Sequence, residues 1–310
     1  MPQRRGRQAV SPEAMLESLD HVILAVRDLE AATRQYALLL GRSVSWRGKH
    51  PGQGTANALF RVDNTYLELL AQEGGGAVGG AVRAFLEARG EAPVGLAFGT
   101  RDAEACRAWL AERGLRPAPL EKGIGRDFES GAFREWRRVP IPLTETRGVL
   151  LFAIEHTTPD GILPTAGLAC DETAAVSALD HAVVRTPDPD AAKALYGERL
   201  GLRLALDRVF PEWGMRLLFY RVGGVTVEIA AHDARPKEGA PATARVEDDN
   251  DRLWGLSWRV PNADAARERL AEVGFDVSDV RAGRKPGTRV LTVRDGTCSV
   301  PTLLIEPPSR

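Results

Sequence analysis

The sequence has little of what marks several large classes of protein. Its three cysteines, Cys106, Cys170 and Cys298, are far apart and form no CxxC pair, which argues against a disulfide framework. No apolar run approaches the roughly 18 residues of a membrane-spanning helix. The 41 basic and 42 acidic residues nearly cancel, so neither nucleic-acid nor membrane-surface binding is expected. These absences predict a reduced, cytoplasmic protein.

Several catalytic and targeting motifs are absent as well. The chain shows no Ser-His-Asp arrangement, no nucleotide-binding glycine motif and no zinc-finger spacing. Its first seven residues are basic but have no apolar segment behind them, so they do not form a signal peptide. We expect residues 1–15 to be a disordered tail.

The strongest positive feature is an internal repeat. Leu19-Asp20-His21 returns as Leu179-Asp180-His181, 160 residues later. One offset that holds along most of a domain indicates a duplicated unit, which decides the fold before local propensity does. The same offset relates three further pairs: Tyr36 and Tyr196, Gly41 and Gly201, and Glu68 and Glu228.

The pattern around each Leu-Asp-His motif predicts a small α+β unit. A β-branched apolar run starts at His21, and apolar positions at helical spacing occupy residues 29–40, between a capping aspartate and a glycine. Three strands follow, with a loop at residues 48–54, so the order is β-α-β-β-β. A second such unit begins near Gly95, after a flexible glycine-rich connection at residues 74–80.

The whole chain is therefore predicted to form four βαβββ units, paired into two α+β domains. Proline and glycine mark the linker between the halves, and polar residues 233–249 are predicted to be a loop. The expected boundaries are the tail at 1–15, a first domain at 16–157 with units at 16–72 and 93–157, a linker at 158–177, and a second domain at 178–308 with units at 178–231 and 252–308.

These features resemble the vicinal oxygen chelate superfamily, the group of glyoxalases, bleomycin-resistance proteins and extradiol dioxygenases. The resemblance rests on the four units, the Leu-Asp-His opening and the glutamate in the fourth strand, and it covers residues 18–307. It implies that two units pair into an open barrel, usually with a divalent metal on the cavity floor. Residues 49–57, Lys-His-Pro-Gly-Gln-Gly-Thr-Ala-Asn, look like the glyoxalase-like branch.

The resemblance also implies metal ligands from strands one and four of each unit. At one of the four positions in each half the family often has histidine, but this chain has Gly95 and Gly255. That departure argues against ring-cleaving Fe(II) chemistry, which needs two histidines and a carboxylate. The implied ligands are His21, Glu68 and Glu155 in the first half, and His181, Glu228 and Glu306 in the second. For Glu68 and Glu155 the alternative explanation is a salt bridge to Arg61, Arg137 or Arg138.

One imidazole and two carboxylates would suit Zn, Mn, Ni, Co or Fe, with positions left open for substrate. Strand alternation places Tyr66, Glu68 and Leu70 on one face. A substrate that binds the metal through two oxygens would have a more acidic C–H next to its carbonyl. Glu68 or Glu155 could then act as the general base.

Other residues are candidates for contact with the substrate. Residues 49–57 precede or enter the third strand, so their polar side chains are expected at the cavity mouth, and an aromatic residue is expected on its wall. Solvated-loop, turn and core-packing roles are the alternative explanations for these side chains. The candidates are His50, Thr55, Asn57 and Trp46.

The leading prediction is a metal-dependent, glyoxalase-like isomerase, lyase or epimerase that acts on a small oxygen-bearing substrate through an enediolate-type intermediate. A metal-free small-molecule binding protein of the bleomycin-resistance type is the alternative, and an extradiol-type dioxygenase is the third. The expected partner is a small molecule, and a monomer or a homodimer is expected. The sequence leaves open whether one half or both are active.

Overall fold

A computed structural model describes residues 14–159, 161–232 and 250–308. The predicted loop at 233–249 and nearly all of the predicted tail lie outside the described residues. Within them the chain forms four βαβββ units, which confirms the α+β fold with two glyoxalase-like domains. In the described part of the chain, no helix has the length and apolar character needed to cross a membrane.

The first half contains eight strands and three helices. Helix α1 begins after Asp28, whose side chain accepts a hydrogen bond from Ala31 N, and it ends at Gly41 with a φ of 64°, as the sequence predicted. The elements in chain order are β1 Ser18–Ala25, α1 Leu29–Leu40, β2 Trp46–His50, β3 Thr55–Arg61, β4 Tyr66–Gln72, α2 Ala77–Arg89, β5 Ala92–Gly99, α3 Ala103–Glu112, β6 Glu121–Asp127, β7 Phe133–Ile141 and β8 Leu150–His156.

The strands of the first half form a closed barrel in the order β1-β4-β3-β2-β6-β7-β8-β5. The barrel closes through the antiparallel pair of β2 and β6, in which Gly48 lies opposite Asp127. Closure differs from the open barrel that the resemblance implied. Closure depends on residues 48–50, which form the end of strand β2. The sequence had predicted a loop there.

Helix α2 was not predicted, because glycines obscure its start. The residues around Gly76 and Gly79 read as a flexible connection, yet they pack against the turn between β2 and β3. A Cβ atom on Gly79 would lie 2.2 Å from the carbonyl oxygen of Gly54. Glycine is therefore required for this close approach. The helix continues to Arg89 and so occupies most of the segment between the first two predicted units.

The second half repeats the arrangement after a short 3₁₀ helix, Glu172–Ala174. The elements are β9 Ala178–Arg185, α4 Pro189–Lys193 followed by a π-helical turn Ala194–Arg199, β10 Arg203–Phe210, β11 Met215–Val222, β12 Val225–His232, β13 Arg252–Arg259, α5 Ala263–Glu272, β14 Arg281–Ala282, β15 Arg289–Val293 and β16 Thr302–Glu306. These strands form one sheet in the order β10-β11-β12-β9-β13-β16-β15-β14. Its outermost strands, β10 and β14, do not pair with each other among the described residues.

The two halves share one apolar core. Leu19 and Leu179, from the repeated motif, are both fully buried in it. Polar contacts reinforce the junction: Asn64 exchanges two hydrogen bonds with the backbone of Leu179. Burial of a continuous core across the junction favours a fixed geometry over independent domain motion.

Candidate functional site

A cavity of about 90 Å³ lies inside the first barrel and gathers most of the predicted site residues. Alternation along β4 turns Tyr66, Glu68 and Leu70 to the interior, as the sequence predicted. His21 of β1 also lines this cavity. Strands β2 and β3 add four further predicted residues to the lining: Trp46, His50, Thr55 and Asn57.

His21 and Glu68 lie next to each other on the cavity wall. The Nε2 atom of His21 lies 3.5 Å from Oε2 of Glu68. The His21 ring stacks on Tyr66, with centroids 4.5 Å apart and planes at 17°. His21 is 3% exposed and Glu68 is 8% exposed. An imidazole and a carboxylate held this close inside a cavity are groups that can act together in proton transfer.

Asp20 orients His21 from the other side of the ring. Its Oδ1 lies 2.7 Å from His21 Nδ1, and its Oδ2 lies 3.0 Å from His156 Nε2. Burial alone would raise the pKa of Asp20, but the hydrogen bonds from His156 and His21 outweigh burial and hold that pKa well below its usual range. An ionised Asp20 keeps a proton on Nδ1 of His21 and so directs Nε2 at Glu68.

A β-bulge allows the adjacent Asp20 and His21 to cooperate. The β5 partners of Leu19 and His21 are consecutive residues, so Asp20 is the extra residue between them. An extra residue bends a strand and changes the direction of its side chains. Asp180 occupies the same kind of bulge in β9, and the repeat therefore preserves the bulge together with the motif.

The predicted substrate-binding residues form a hydrogen-bonded row beside Glu68. His50 Nδ1 lies 2.8 Å from Thr55 Oγ1, and Asn57 Nδ2 donates to Glu68 Oε1 at 2.7 Å. Asn57 Oδ1 is buried and has no hydrogen-bond partner among the described residues. Burial lowers the pKa of His50, although Glu68 opposes this effect, so His50 is neutral at pH 7. Trp46 lines the cavity beside this row.

Glu155 lies outside the barrel, so its predicted convergence with the other ligands is wrong. Phe152 and Ile154 of β8 face the cavity, and strand alternation turns Glu155 outward. There its carboxylate accepts a hydrogen bond from Ala103 N at 2.8 Å and pairs with Arg137 at 2.7 Å. Glu155 therefore caps the start of α3 instead of facing the cavity.

Glu306 requires the same correction in the second half. Its carboxylate accepts a hydrogen bond from Ala263 N at 2.8 Å and lies 3.3 Å from Arg289. These contacts place it at the start of α5, on the face away from His181. The repeat thus preserves a glutamate that caps a helix, and the sequence alone does not distinguish that role from metal binding.

The strand register also changes which residues face the two histidines. Ala97, two residues beyond Gly95, lies opposite His21. In the second half Ser257 takes this place instead of Gly255. Neither residue is the histidine that the family often has. The chain therefore lacks that histidine, as predicted, but the position concerned is two residues further along each strand.

The first-half residues do not fit the metal centre that the resemblance implies. Unit one supplies His21 and Glu68, but the matching positions of unit two hold Ala97 and Ile154, whose hydrocarbon side chains cannot ligate a metal. His50 Nε2 is 3.9 Å from Glu68 Oε1, but it faces a neighbouring amide nitrogen. No three His, Cys, Asp or Glu side chains in the described part of the chain are arranged to hold an ion.

The second half keeps the central pair but changes its surroundings. His181 Nε2 lies 3.6 Å from Glu228 Oε2 and 2.8 Å from the Ser257 hydroxyl, and His181 Nδ1 lies 2.9 Å from Asp180. Arg259, a fixed cation, binds Asp180 at 2.7 Å. Burial raises the pKa of Glu228, which His181 only partly offsets.

The polar row beside the glutamate is lost in the second half. At the offset of 160, the positions of His50, Thr55 and Asn57 hold three apolar residues. These residues belong to an apolar cluster with Val183 and Trp213, so the second half can offer an apolar surface but few hydrogen bonds to a ligand. The three replacements are Phe210, Met215 and Leu217.

Sequence reasoning missed two residues of the first-half site. Asp20 carried a signal, because the repeat retains the aspartate together with the histidine. Arg134 of β7 lines the cavity, but no feature of the sequence separates it from the nearby Arg137 and Arg138. Those two arginines form ion pairs with Glu155 and Glu121.

Two family models match the chain. A model described as Glyoxalase-like domain covers residues 19–174. A second, described as Glyoxalase/Bleomycin resistance protein/Dioxygenase superfamily, covers residues 180–292. Since the first of these spans half of the sequence and the second matches the other half, the chain belongs to the glyoxalase, bleomycin-resistance protein and dioxygenase superfamily.

Known proteins extend this finding. An ethylmalonyl-CoA/methylmalonyl-CoA epimerase from Cereibacter sphaeroides is 35% identical over 106 residues, which are 33% of this chain and 75% of the relative. A mutant of 4-hydroxymandelate synthase from Streptomyces coelicolor has a similar structure, with a TM-score of 0.66 and 16% identity over 93% of this chain and 92% of that one. A hypothetical protein from Staphylococcus aureus has a TM-score of 0.62 and 10% identity over 94% and 99% of the two chains. The two structural matches concern the fold alone.

Proposed function

We propose that the first-half cavity catalyses proton transfer at a carbon next to a carbonyl group, as an epimerase or isomerase. The observation that carries the proposal is the buried contact between His21 and Glu68, with Asp20 behind the imidazole. Few structural roles require a buried carboxylate, a histidine and a second carboxylate in a row that faces an internal cavity. Groups of this kind cluster where protons are moved.

Glu68 is the residue proposed to remove the proton. Its carboxylate faces the cavity and is oriented by Asn57 at 2.7 Å. Asp20 fixes the tautomer of His21, and Nε2 of His21 lies close enough to Glu68 to take up the abstracted proton. An isomerase step returns a proton from this pair to the neighbouring position. In an epimerase step the abstracted proton passes to solvent, and a solvent-derived proton adds to the opposite face of the carbon. The reaction consumes no co-reactant, since the proton that leaves the carbon is replaced by one at the same carbon or at its neighbour.

The epimerase relative supports this reaction class. Its name states that it is an epimerase of ethylmalonyl-CoA and methylmalonyl-CoA, and an epimerase inverts a stereocentre. This chain supplies the acid–base pair for such a step from its own residues. A ring-cleaving dioxygenase receives no support from the site, because the donors that iron would need are not arranged together in the described residues.

A second candidate function is small-molecule binding without chemistry, of the bleomycin-resistance type. The apolar replacements Phe210, Met215 and Leu217 favour it for the second half. Phe210 stacks on Trp213 with centroids 4.5 Å apart, and the guanidinium groups of Arg208 and Arg284 lie over the two rings. An apolar ligand would therefore contact the side chains and ring edges of this cluster.

Solvent-deuterium uptake at the α-carbon tests the proposed reaction. Methylmalonyl-CoA, ethylmalonyl-CoA and 2-methylacetoacetyl-CoA would be incubated in D₂O with protein dialysed against a chelator, and mass spectrometry would follow the exchange. We expect exchange with at least one compound, and a loss of about 10²- to 10⁴-fold in Glu68→Gln, the usual contribution of a general base. Exchange that is absent with every compound, or that survives unchanged in Glu68→Gln, would contradict the proposal.

A further inference from the structure

Arg134 is a buried cation that forms no ion pair with the described residues, although Asp20 and Glu68 act on it over a longer distance. Its side chain comes from β7 and is 8% exposed. No Asp or Glu oxygen of the described residues lies within 4 Å of its guanidinium, whereas its neighbours Arg137 and Arg138 pair with Glu155 and Glu121. Burying a guanidinium without a counter-ion is costly, so such a group commonly marks a place where a ligand supplies the missing charge.

Aromatic rings hold this guanidinium beside the proton-transfer pair. Its carbon lies 5.2 Å from the ring centroid of Tyr66 and 5.9 Å from that of Trp46. Its contact with the Tyr66 hydroxyl, at 3.5 Å, is at the limit of a hydrogen bond. Because Tyr66 also stacks on His21, Arg134, Tyr66 and His21 form one layered stack at the cavity wall.

The charges that line the cavity are mostly positive. Lys122, Arg134 and Arg138 line it, and Glu68 is the one carboxylate in the same lining. Arg138 is neutralised by Glu121, but Lys122 and Arg134 have no ion-pair partner within the described part of the chain. A cavity of this charge attracts an anion and places it near Glu68.

The second half places its cation differently: the Arg284 guanidinium lies 3.6 Å from the ring centroid of Trp213 and acts electrostatically on Glu228. Strand β15 begins at Arg289, which matches Arg137 because each lies opposite the capping glutamate of its half. No strand residue therefore stands at the place of Arg134, and Val290 takes the place of Arg138. The first half therefore differs from the second in combining a cation from β7 with the polar row beside its glutamate.

We propose that Arg134 binds a carboxylate group of the substrate and so selects anionic carbonyl compounds for the first-half cavity. This inference rests on the proposed function for its meaning, but the anion site can be tested without any reaction. Planar guanidinium groups bind carboxylates through two parallel hydrogen bonds, which fixes orientation as well as position. A carboxylate held there would present the neighbouring carbon to Glu68.

Arg134 also lines a second cavity of about 430 Å³ behind the barrel, together with Arg61 and His156. Asp20 and Asp63 line that rear cavity too, so its charges are balanced and it attracts anions less strongly. Binding of the anion in the rear cavity is therefore an outcome that the test must exclude.

Titration calorimetry with malonate tests the site, and dimethyl malonate serves as the uncharged probe of the same skeleton. We expect malonate to bind the full-length protein, and Arg134→Gln to weaken it about tenfold or more, the usual effect of losing a charge-assisted pair. Arg134→Lys retains part of the affinity because it keeps the charge. Arg137→Gln, the same substitution on the outer face of the same strand, leaves affinity unchanged.

Glu68→Gln locates the bound anion. Removal of the neighbouring negative charge should tighten malonate binding about threefold or more if the anion lies in the first cavity, and should leave it unchanged if the anion lies in the rear cavity. Unchanged affinity in Arg134→Gln, equal binding of dimethyl malonate, or no effect of Glu68→Gln would each overturn the inference.

The two proposals can fail separately. Deuterium exchange without malonate binding would leave the proton-transfer function standing and refute the role of Arg134. Malonate binding that depends on Arg134, without exchange of any compound, would establish the anion site and refute the proposed reaction.

Discussion

The chemistry that we propose for the first-half cavity depends on three side chains, Asp20, His21 and Glu68. Glu68 faces the cavity, Nε2 of His21 lies 3.5 Å from its carboxylate, and Asp20 binds Nδ1 of His21. His156 completes the row by binding the second oxygen of Asp20 at 3.0 Å. In the second half a fixed cation, Arg259, takes the place of that histidine, so the two rows differ in whether the last partner can release a proton.

Asp20→Asn is predicted to slow deuterium exchange by about tenfold or more, because an amide can no longer hold the tautomer that directs Nε2 of His21 at Glu68. As a positioning residue, Asp20 should also alter the pH dependence of the rate, which a loss of stability alone would not do. The matched variant Asp180→Asn should change neither. An unaltered pH–rate profile in Asp20→Asn would argue against this role.

At the scale of elements, regular periodicity was predictable and local irregularity was not. The helix at residues 29–40 and the shared face of Tyr66, Glu68 and Leu70 followed from spacing of 3.6 and of 2 residues. The face of Glu155 did not, because a shift of one residue turns a strand side chain to the other side of the sheet. The β-bulge at Asp20 is a second local irregularity, and no sequence pattern predicts it.

Glu155→Ala is predicted to cost about 2 kcal/mol of unfolding free energy, since it removes the hydrogen bond to Ala103 N in the first turn of α3 and the ion pair with Arg137 together, while the N-cap Asp102 remains. Deuterium exchange at temperatures where the variant is folded should match wild type, because the side chain lies outside the barrel. Urea unfolding and the exchange assay measure the two effects. A stable but inactive Glu155→Ala protein would show that Glu155 takes part in the reaction.

For the whole molecule, duplication has produced two halves with one core and different cavities. Both retain the Asp-His-Glu row, but the first barrel alone combines it with the polar row at His50 and with Arg134 in the described structure. Arg147 of the first half and Asp251 of the second bind each other at 3.1 Å across the junction. That contact makes the stability of the two halves interdependent.

Asp251 should make this junction sensitive to pH. Burial raises its pKa from 3.8 to about 6, and the bonds from Thr186 and Arg147 offset burial only in part. At pH values between these two pKa values, Asp251 holds a proton in the folded chain that it has lost in the unfolded chain. The stability contributed by Asp251 is therefore full below about pH 4 and declines as the pH rises through 6. The unfolding free energy of wild type relative to Asp251→Asn should fall by about 2 kcal/mol from pH 4.5 to 7.5. A constant difference between the two proteins would contradict this assignment.

The measurement that tests the central claim most directly is the deuterium-exchange rate of Glu68→Gln and Glu228→Gln, measured side by side with wild type. The two substitutions are chemically identical and occupy matching positions of the repeat. We predict that the exchange rate of Glu68→Gln is lower than that of wild type by about 10²-fold or more. The exchange rate of Glu228→Gln should equal that of wild type. Equal rates in the two variants, or loss of exchange in Glu228→Gln alone, would show that the first-half cavity is not the site of proton transfer.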